Sequence, residues 1–236
     1  MIFFRNLLFY AGLVPITILF SLLGLSFYFM PYPARYFLIS RWSHFFIFWA
    51  KIVGGISYRI EGLEHLPNTP AILVANHQSM WETVFTQILV PRQSWILKKS
   101  LLHIPFFGWG LALLEPIAID RQDRQGAIQQ IQEQGQKCLA QGRWIVLFPE
   151  GTRVAPGVHH RFSKSAAALS KATGYPIVPM AHNAGCFWPR GFWIRRTGCI
   201  QVHIGPAILP EAQSMLEIHE TVETWIRGHL EPSKIP

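Results

Sequence analysis

From Leu7 to Met30 the chain runs for 24 residues without a charge. As a helix rising about 1.5 Å per residue, that is enough to cross a hydrocarbon core of roughly 30 Å. A cleaved signal peptide is the competing reading, but the segment is longer than a typical signal core and no clear small-residue cleavage site follows it. The expectation is therefore a retained, membrane-associated helix, kinked at Pro15. A second stretch, Tyr36 to Ala50, is rich in Phe and Trp but carries Arg41 and His44, which makes it short and polar for a span. Trp42, Phe45, Phe46, Phe48 and Trp49 suit the headgroup boundary or, equally, a helix packed on the rest of the protein. Pro31 and Pro33 punctuate the two segments into a helical hairpin.

The first fifty residues contain Arg5, Arg35 and Arg41 and no acid, whereas the remainder alternates charged and apolar segments in the ordinary way. This contrast divides the chain into N-terminal membrane-anchoring helices, 1–51, and a main domain, 52–236. Of the net charge of +8, residues 51–236 carry +5. Such a balance fits anionic lipid, phosphate or nucleic acid. Nucleic acid is the weakest of these, because the chain has no known nucleic-acid-binding motif and no dense Lys/Arg run. Cys138, Cys186 and Cys199 are odd in number and far apart, so buried free thiols in a reducing compartment are expected. His159 and His160 are adjacent and lack a partner cluster, so no metal site is expected.

Beyond residue 51, short apolar runs alternate with helical segments. Ile56 to Ile60, Ala71 to Ala75, Trp95 to Leu97, Pro116 to Ile119, Arg143 to Phe148, Pro176 to Met180 and Cys199 to Ile204 are strand candidates. Arg124 to Gln141, stopped by Gly142, and Ser163 to Thr173, closed by Gly174, are helices. The fold class that follows is α/β: a mostly parallel sheet flanked by helices, with an N-terminal membrane-associated helical hairpin. Sites in such sheets open at the C-terminal ends of strands. His77 and the Phe148-Pro149-Glu150-Gly151 segment both follow predicted strands, so they are placed on one edge.

The first of these segments reads Asn76-His77-Gln78-Ser79-Met80-Trp81-Glu82. A neutral histidine accepts a hydroxyl proton near working pH, and a carboxylate on its other nitrogen fixes the tautomer. Positions five apart on a helix differ by about 140° around the axis, so His77 and Glu82 meet only if His77 precedes the helix. A strand ending at Ala75 gives that placement. On its own the pair is weak, since a capping histidine and a solvated glutamate have the same spacing. The second segment, Phe148-Pro149-Glu150-Gly151-Thr152-Arg153, is more demanding. Pro149 and Gly151 are turn residues, but a turn leaves Glu150, Thr152 and Arg153 without a task. Arginine offers a planar fork for phosphate or carboxylate, to which Thr152 and nearby N–H groups can add hydrogen bonds.

In this order and separation the two segments resemble the motifs of the glycerolipid acyltransferase family, particularly its bacterial 1-acylglycerol-3-phosphate acyltransferases. Lys98-Lys99-Ser100-Leu101-Leu102-His103-Ile104-Pro105-Phe106-Phe107-Gly108-Trp109 is similar to the family's lysine-led segment, Ile119-Asp120-Arg121 to its second motif, and Val178-Pro179-Met180 to its fourth block. The similarity covers roughly residues 55 to 205. It implies that His77 and Glu82 are catalytic. It also implies that Arg121 and the third block, Glu150, Gly151, Thr152 and Arg153, engage a glycerol phosphate, with Lys98 in support. One departure is plain: the first block commonly ends in Asp, and here Glu82 keeps the charge with one more methylene.

The resemblance implies an enzyme, a 1-acylglycerol-3-phosphate O-acyltransferase. It would move a fatty acyl group from acyl-coenzyme A or acyl carrier protein to the sn-2 hydroxyl of lysophosphatidic acid, without a cofactor. Membrane lipids are expected partners and nucleic acid is not. The expected location is the bacterial inner membrane, with the catalytic domain on the cytoplasmic side. Transfer to another lysolipid, thioester hydrolysis, and a non-catalytic lipid-binding protein are the alternatives. No G-x-S-x-G elbow is present, which disfavours a serine esterase. For Ile104 to Leu114, core packing is expected for most residues, an acyl-chain tunnel being the other use of the same side chains. Trp188, Phe192 and Trp193, set among Arg190, Arg195 and Arg196, suit an interface or a packed loop.

Overall fold

Seven apolar runs of the sequence become seven strands of one sheet. They are β1 (Ile56–Glu61), β2 (Ile72–Ala75), β3 (Gln93–Lys98), β4 (Ile117–Ile119), β5 (Trp144–Leu147), β6 (Ile177–His182) and β7 (Gly198–Ile204), in the order β1-β7-β6-β2-β5-β3-β4. The computed structural model describes residues 1–120, 122–211 and 213–230. All neighbouring strands are parallel except β6 and β7, which run antiparallel. The helices are α1 (Ile2–Ser26), α2 (Tyr32–Trp49), α3 (Trp81–Leu89), α4 (Phe107–Ala112), α5 (Arg124–Ala140), α6 (Ser165–Thr173) and α7 (Met215–Gly228). The largely parallel, helix-flanked sheet is the one that the alternating runs lead to. Helix α7 was not among the expected elements, although Ser214 and Glu217 form a capping box and Ile218, Val222 and Ile226 recur at helical spacing.

Central strands β2 and β5 are buried at every position, as strands covered on both faces must be. Successive side chains alternate between the two layers. Leu73, Ala75 and Val146 join a core with Phe9 and Leu13 of α1, Ile39 and Phe46 of α2, and Trp81 and Phe85 of α3. Ile72, Val74 and Ile145 join another with Ile131 and Leu139 of α5, Leu169 of α6 and Ile218 of α7. The N-terminal hairpin thus covers one face of the sheet.

Helix α1 is apolar on nearly every side, and its outward face is the wrong one for a helix surrounded by water. Phe9 and Leu13 are buried together with Asn6, Ser21 and Gly24, while Phe3, Phe4, Leu7 and Leu8 face outward. It is the one helix among the described residues long and apolar enough to cross a membrane. Helix α2 splits its aromatic residues: Phe46 is fully buried and Phe48 is exposed. The interfacial option for Trp188 fails, because this indole is fully buried and stacks on Phe46 with ring centroids 5.7 Å apart.

Polar links fasten the hairpin to the sheet. Arg35 of α2 donates to the Leu113 carbonyl at 2.8 Å and pairs with one oxygen of Glu115. Arg143, just before β5, pairs with the other oxygen at 3.0 Å and lies over the Tyr32 ring, 4.5 Å from its centre. Both guanidinium groups are buried. Glu115, which serves both of them, has a positive φ of 50°, a strained conformation for a side-chain-bearing residue. Removing the carboxylate leaves buried donors without their acceptor. Glu115→Ala should therefore destabilise the protein by about 1–3 kcal/mol, read as a lowered thermal midpoint in detergent with the far-ultraviolet spectrum unchanged below the transition.

Candidate active site

The site forms where adjacent strands β2 and β5 end. β2 stops at Ala75 and α3 begins at Trp81, so His77 precedes the helix and Glu82 sits in its first turn. The geometric condition for their pairing is met: His77 Nδ1 lies 2.9 Å from Glu82 Oε1. The same oxygen accepts the backbone N–H groups of Gln78 at 2.8 Å and Ser79 at 2.7 Å. Glu82 is fully buried. Burial alone pushes its carboxyl up, but the hydrogen bonds donated by the His77 ring and the Ser79 N–H hold it below the usual carboxylate range. An ionised carboxylate only accepts hydrogen bonds, so Nδ1 of His77 is assigned as the donor, and in the neutral ring Nε2 then carries the free lone pair. The imidazole stacks on Phe148, ring centroids 4.3 Å apart.

The segment after β5 grips the histidine main chain from both sides. The His77 N–H donates to Glu150 Oε1 at 3.2 Å, and the Val154 N–H donates to the His77 carbonyl at 2.8 Å. Gly151, at φ 67°, supplies the left-handed residue that lets the turn fold back. Burial pushes the Glu150 carboxyl up to about 7, against the hydrogen bonds from its own and His77's backbone, with Glu82 raising it further. Two carboxyl groups beside one histidine thus titrate apart, Glu82 held ionised and Glu150 divided between its two states near neutral pH.

From the other side of β2, His182 at the end of β6 clasps Asn76. The Asn76 amide donates to the His182 carbonyl at 3.0 Å, and the His182 N–H donates to Asn76 Oδ1 at 2.9 Å. The His182 ring donates through Nε2 to the Asn76 carbonyl at 2.7 Å and accepts the Ala184 N–H at Nδ1. This arrangement fixes a neutral ring, and burial pushes its pKa down in agreement. Gln78 is held as well, accepting the Gly185 N–H at 3.2 Å.

His77 lines a cavity of about 200 Å³, several times the roughly 30 Å³ share of one water in the liquid and thus a ligand space rather than a packing defect. Its wall includes Lys98, Gly151 and Arg153, together with apolar side chains such as Phe20, Trp42, Leu97, Phe107 and Leu111 from α1, α2, β3 and α4. Packing accounts for less of the Ile104 to Leu114 stretch than expected, since Phe107, Gly110, Leu111 and Leu114 all reach this cavity. His77, Glu82, Lys98, Glu150, Gly151 and Arg153 are therefore gathered in one place. Thr152 is exposed in the same turn and is not part of the cavity wall. Arg121 lies outside the described residues. Sequence reasoning missed His182, whose signal was a lone imidazole closing the otherwise apolar run Ile177 to Ala181. It also assigned no role to Asn76 or Val154.

Residues 57–183 match the model of the family described as Acyltransferase. A 1-acyl-sn-glycerol-3-phosphate acyltransferase of Pseudomonas aeruginosa is 43% identical over 201 residues, covering 84% of this chain and 78% of that protein. One of Saccharomyces cerevisiae is 31% identical over 177 residues, covering 73% of this chain and 58% of its own length. In fold, the chain is similar to the crystal structure of the 1-acyl-sn-glycerophosphate (LPA) acyltransferase PlsC from Thermotoga maritima. That match has a TM-score of 0.81 and 24% identity, and covers 100% of this chain and 99% of that one. With the family match spanning more than half its length and a relative of this identity covering most of it, the chain belongs to the acyltransferase family.

Proposed function

We propose that this enzyme transfers a fatty acyl group from an acyl thioester to the sn-2 hydroxyl of lysophosphatidic acid, forming phosphatidic acid for phospholipid biosynthesis. The observation that carries this reading is the bare Nε2 of His77, fixed from behind by Glu82, at the wall of a cavity that is apolar yet includes Arg153 and Lys98. A thioester chain needs the apolar wall, a phosphorylated acceptor needs the cations, and a hydroxyl nucleophile needs the base. The names of the Pseudomonas and yeast relatives agree with this acceptor.

In the proposed reaction His77 Nε2 removes the proton of the acceptor hydroxyl as its oxygen attacks the thioester carbonyl carbon. The tetrahedral intermediate then collapses, the C–S bond breaks, and the thiolate takes the proton from His77. Glu82 stabilises the imidazolium and prevents the ring from turning over. The Gln78 and Ser79 amides are committed to Glu82, so the oxyanion donor comes from elsewhere in the site. Arg153, Lys98 and Arg121 bind the acceptor phosphate. Glu150 acts as a prop for the His77 main chain, which extends the substrate-binding role implied for its motif. The donor is acyl-coenzyme A or acyl carrier protein, and no cofactor enters the scheme. Helix α1 holds the enzyme to the bacterial inner membrane on its cytoplasmic side, a setting that suits three cysteines none of which is in a disulfide.

Incubation with labelled acyl donor, with and without lysophosphatidic acid, tests the reading. His77→Ala should lower acceptor-dependent phosphatidic acid formation by about 10²- to 10⁴-fold, and Arg153→Ala should act mainly on the acceptor KM. Full activity in His77→Ala contradicts the mechanism, and donor consumption without acceptor favours hydrolysis.

The state of Glu150 has its own consequence. Its folded pKa is about 7 against an ordinary 4.5, so the folded protein keeps this proton to higher pH than the unfolded chain. Stability from this group is fully present below about 4.5 and is lost as pH rises through about 7, an effect on the order of 3 kcal/mol. Glu150→Gln should therefore raise the thermal midpoint relative to wild type at pH 8 and change it much less at pH 4.5. An offset independent of pH contradicts the assignment.

A further inference from the structure

Residues 151–210 contain seven Lys and Arg side chains and no Asp or Glu. Three of the seven, Arg190, Arg195 and Arg196, fall in the surface loop between β6 and β7 and are exposed there. Between them the loop presents Phe192, 71% exposed, and Trp193, 46% exposed, while Ile194 is 1% exposed and acts as its root. Exposing two large aromatic side chains in an arginine-rich turn is costly in water and suited to the lipid headgroup layer.

The loop is bolted to α1. The buried Asn6 amide donates to the Ile194 carbonyl at 2.9 Å and its oxygen accepts the Ile194 N–H at 2.8 Å. The Tyr10 hydroxyl donates to the Phe192 carbonyl, and Phe3 stacks on Trp193 with ring centroids 6.0 Å apart. Asn6 is an amide inside an otherwise greasy helix, and the loop backbone satisfies it. Phe192 and Trp193 are thereby held level with Phe3, Phe4 and Leu7, the outward apolar residues at the start of α1. Arg196 is held in turn by its hydrogen bond to the Cys186 carbonyl at 2.6 Å and by the Phe187 ring.

We propose that the loop of residues 190–197 is a second membrane contact, in which Phe192 and Trp193 enter the interface beside α1 and the three arginines bind anionic phospholipid headgroups. Two features choose this occupant. The loop continues the apolar face of α1, and its charge is of one sign and opposite to that of an acidic leaflet. With contacts on both the hairpin and the main domain, the catalytic unit is fixed against the membrane rather than tethered to it. The inference rests on the membrane setting proposed above.

The test uses the full chain, distributed between phosphatidylcholine vesicles and vesicles that also contain phosphatidylglycerol, mixed in one sample and then separated. The wild-type protein should favour the anionic population, by about fivefold for each arginine engaged. The preference should fall by that factor in the triple variant Arg190→Gln, Arg195→Gln, Arg196→Gln. Quenching by brominated lipid should reach an indole in the wild-type protein that is lost in Trp193→Phe. Acyl transfer to micellar lysophosphatidic acid should be unchanged in all these variants, which separates this inference from the assigned reaction and its His77→Ala test. A triple variant that keeps the anionic preference, or Trp193→Phe with unaltered quenching, overturns the proposal. So does a triple variant that keeps the vesicle preference and loses rate only with acyl carrier protein as donor, since the loop then docks an acidic protein.

Discussion

A carboxylate without contact with water must be given donors, and the catalytic end of this protein is arranged around that requirement at Glu82. One oxygen collects the Gln78 and Ser79 amides and the His77 ring. To bring them there, the chain leaving β2 has to wrap back over the first turn of α3, and this wrap points the imidazole at the cavity. The same three hydrogen bonds thus stabilise a buried charge, shape a loop and choose a tautomer. A glutamate suits the geometry because its oxygen reaches back past the start of its own helix.

The loop is braced from both neighbours of β2 in the sheet. β5 sends Glu150 and Val154 to the two ends of the His77 peptide, and β6 sends His182 to Asn76. The third-motif segment consequently has two tasks: its arginine faces the cavity, and its glutamate and the following valine hold the base in place. Below the site the hairpin closes one face of the sheet, and its α1 and α2 side chains supply part of the cavity wall. The membrane-seeking part and the chemical part therefore share one core.

The strands were legible in the sequence because each is a short apolar run, and the central ones, β2 and β5, are apolar and buried at every position because helices cover both faces of the sheet. The position of His77 before α3 was legible for the same reason, since Ala71 to Ala75 marks where the strand ends. The uses of Glu150 and His182 were not. Both are hydrogen bonds to main-chain atoms more than seventy residues away, and periodicity says nothing about which buried polar group meets which. Helix α7 was legible and was missed, its capping box and Ile218, Val222, Ile226 spacing being local signals. The fate of the aromatic residues turned on packing that only the assembled fold shows: Trp188 went inside and Trp193 stayed out.

The central claim is that ionised Glu82 fixes the proton of His77 on Nδ1 and leaves Nε2 bare. The most direct measurement is nitrogen NMR of the protein labelled with ¹⁵N-histidine at neutral pH, with the His77 signals identified by their loss in His77→Gln. The account predicts a protonated Nδ1 and an unprotonated Nε2 for this ring, and a loss of that single tautomer in Glu82→Gln. A ring protonated on Nε2, or a tautomer indifferent to Glu82→Gln, contradicts it.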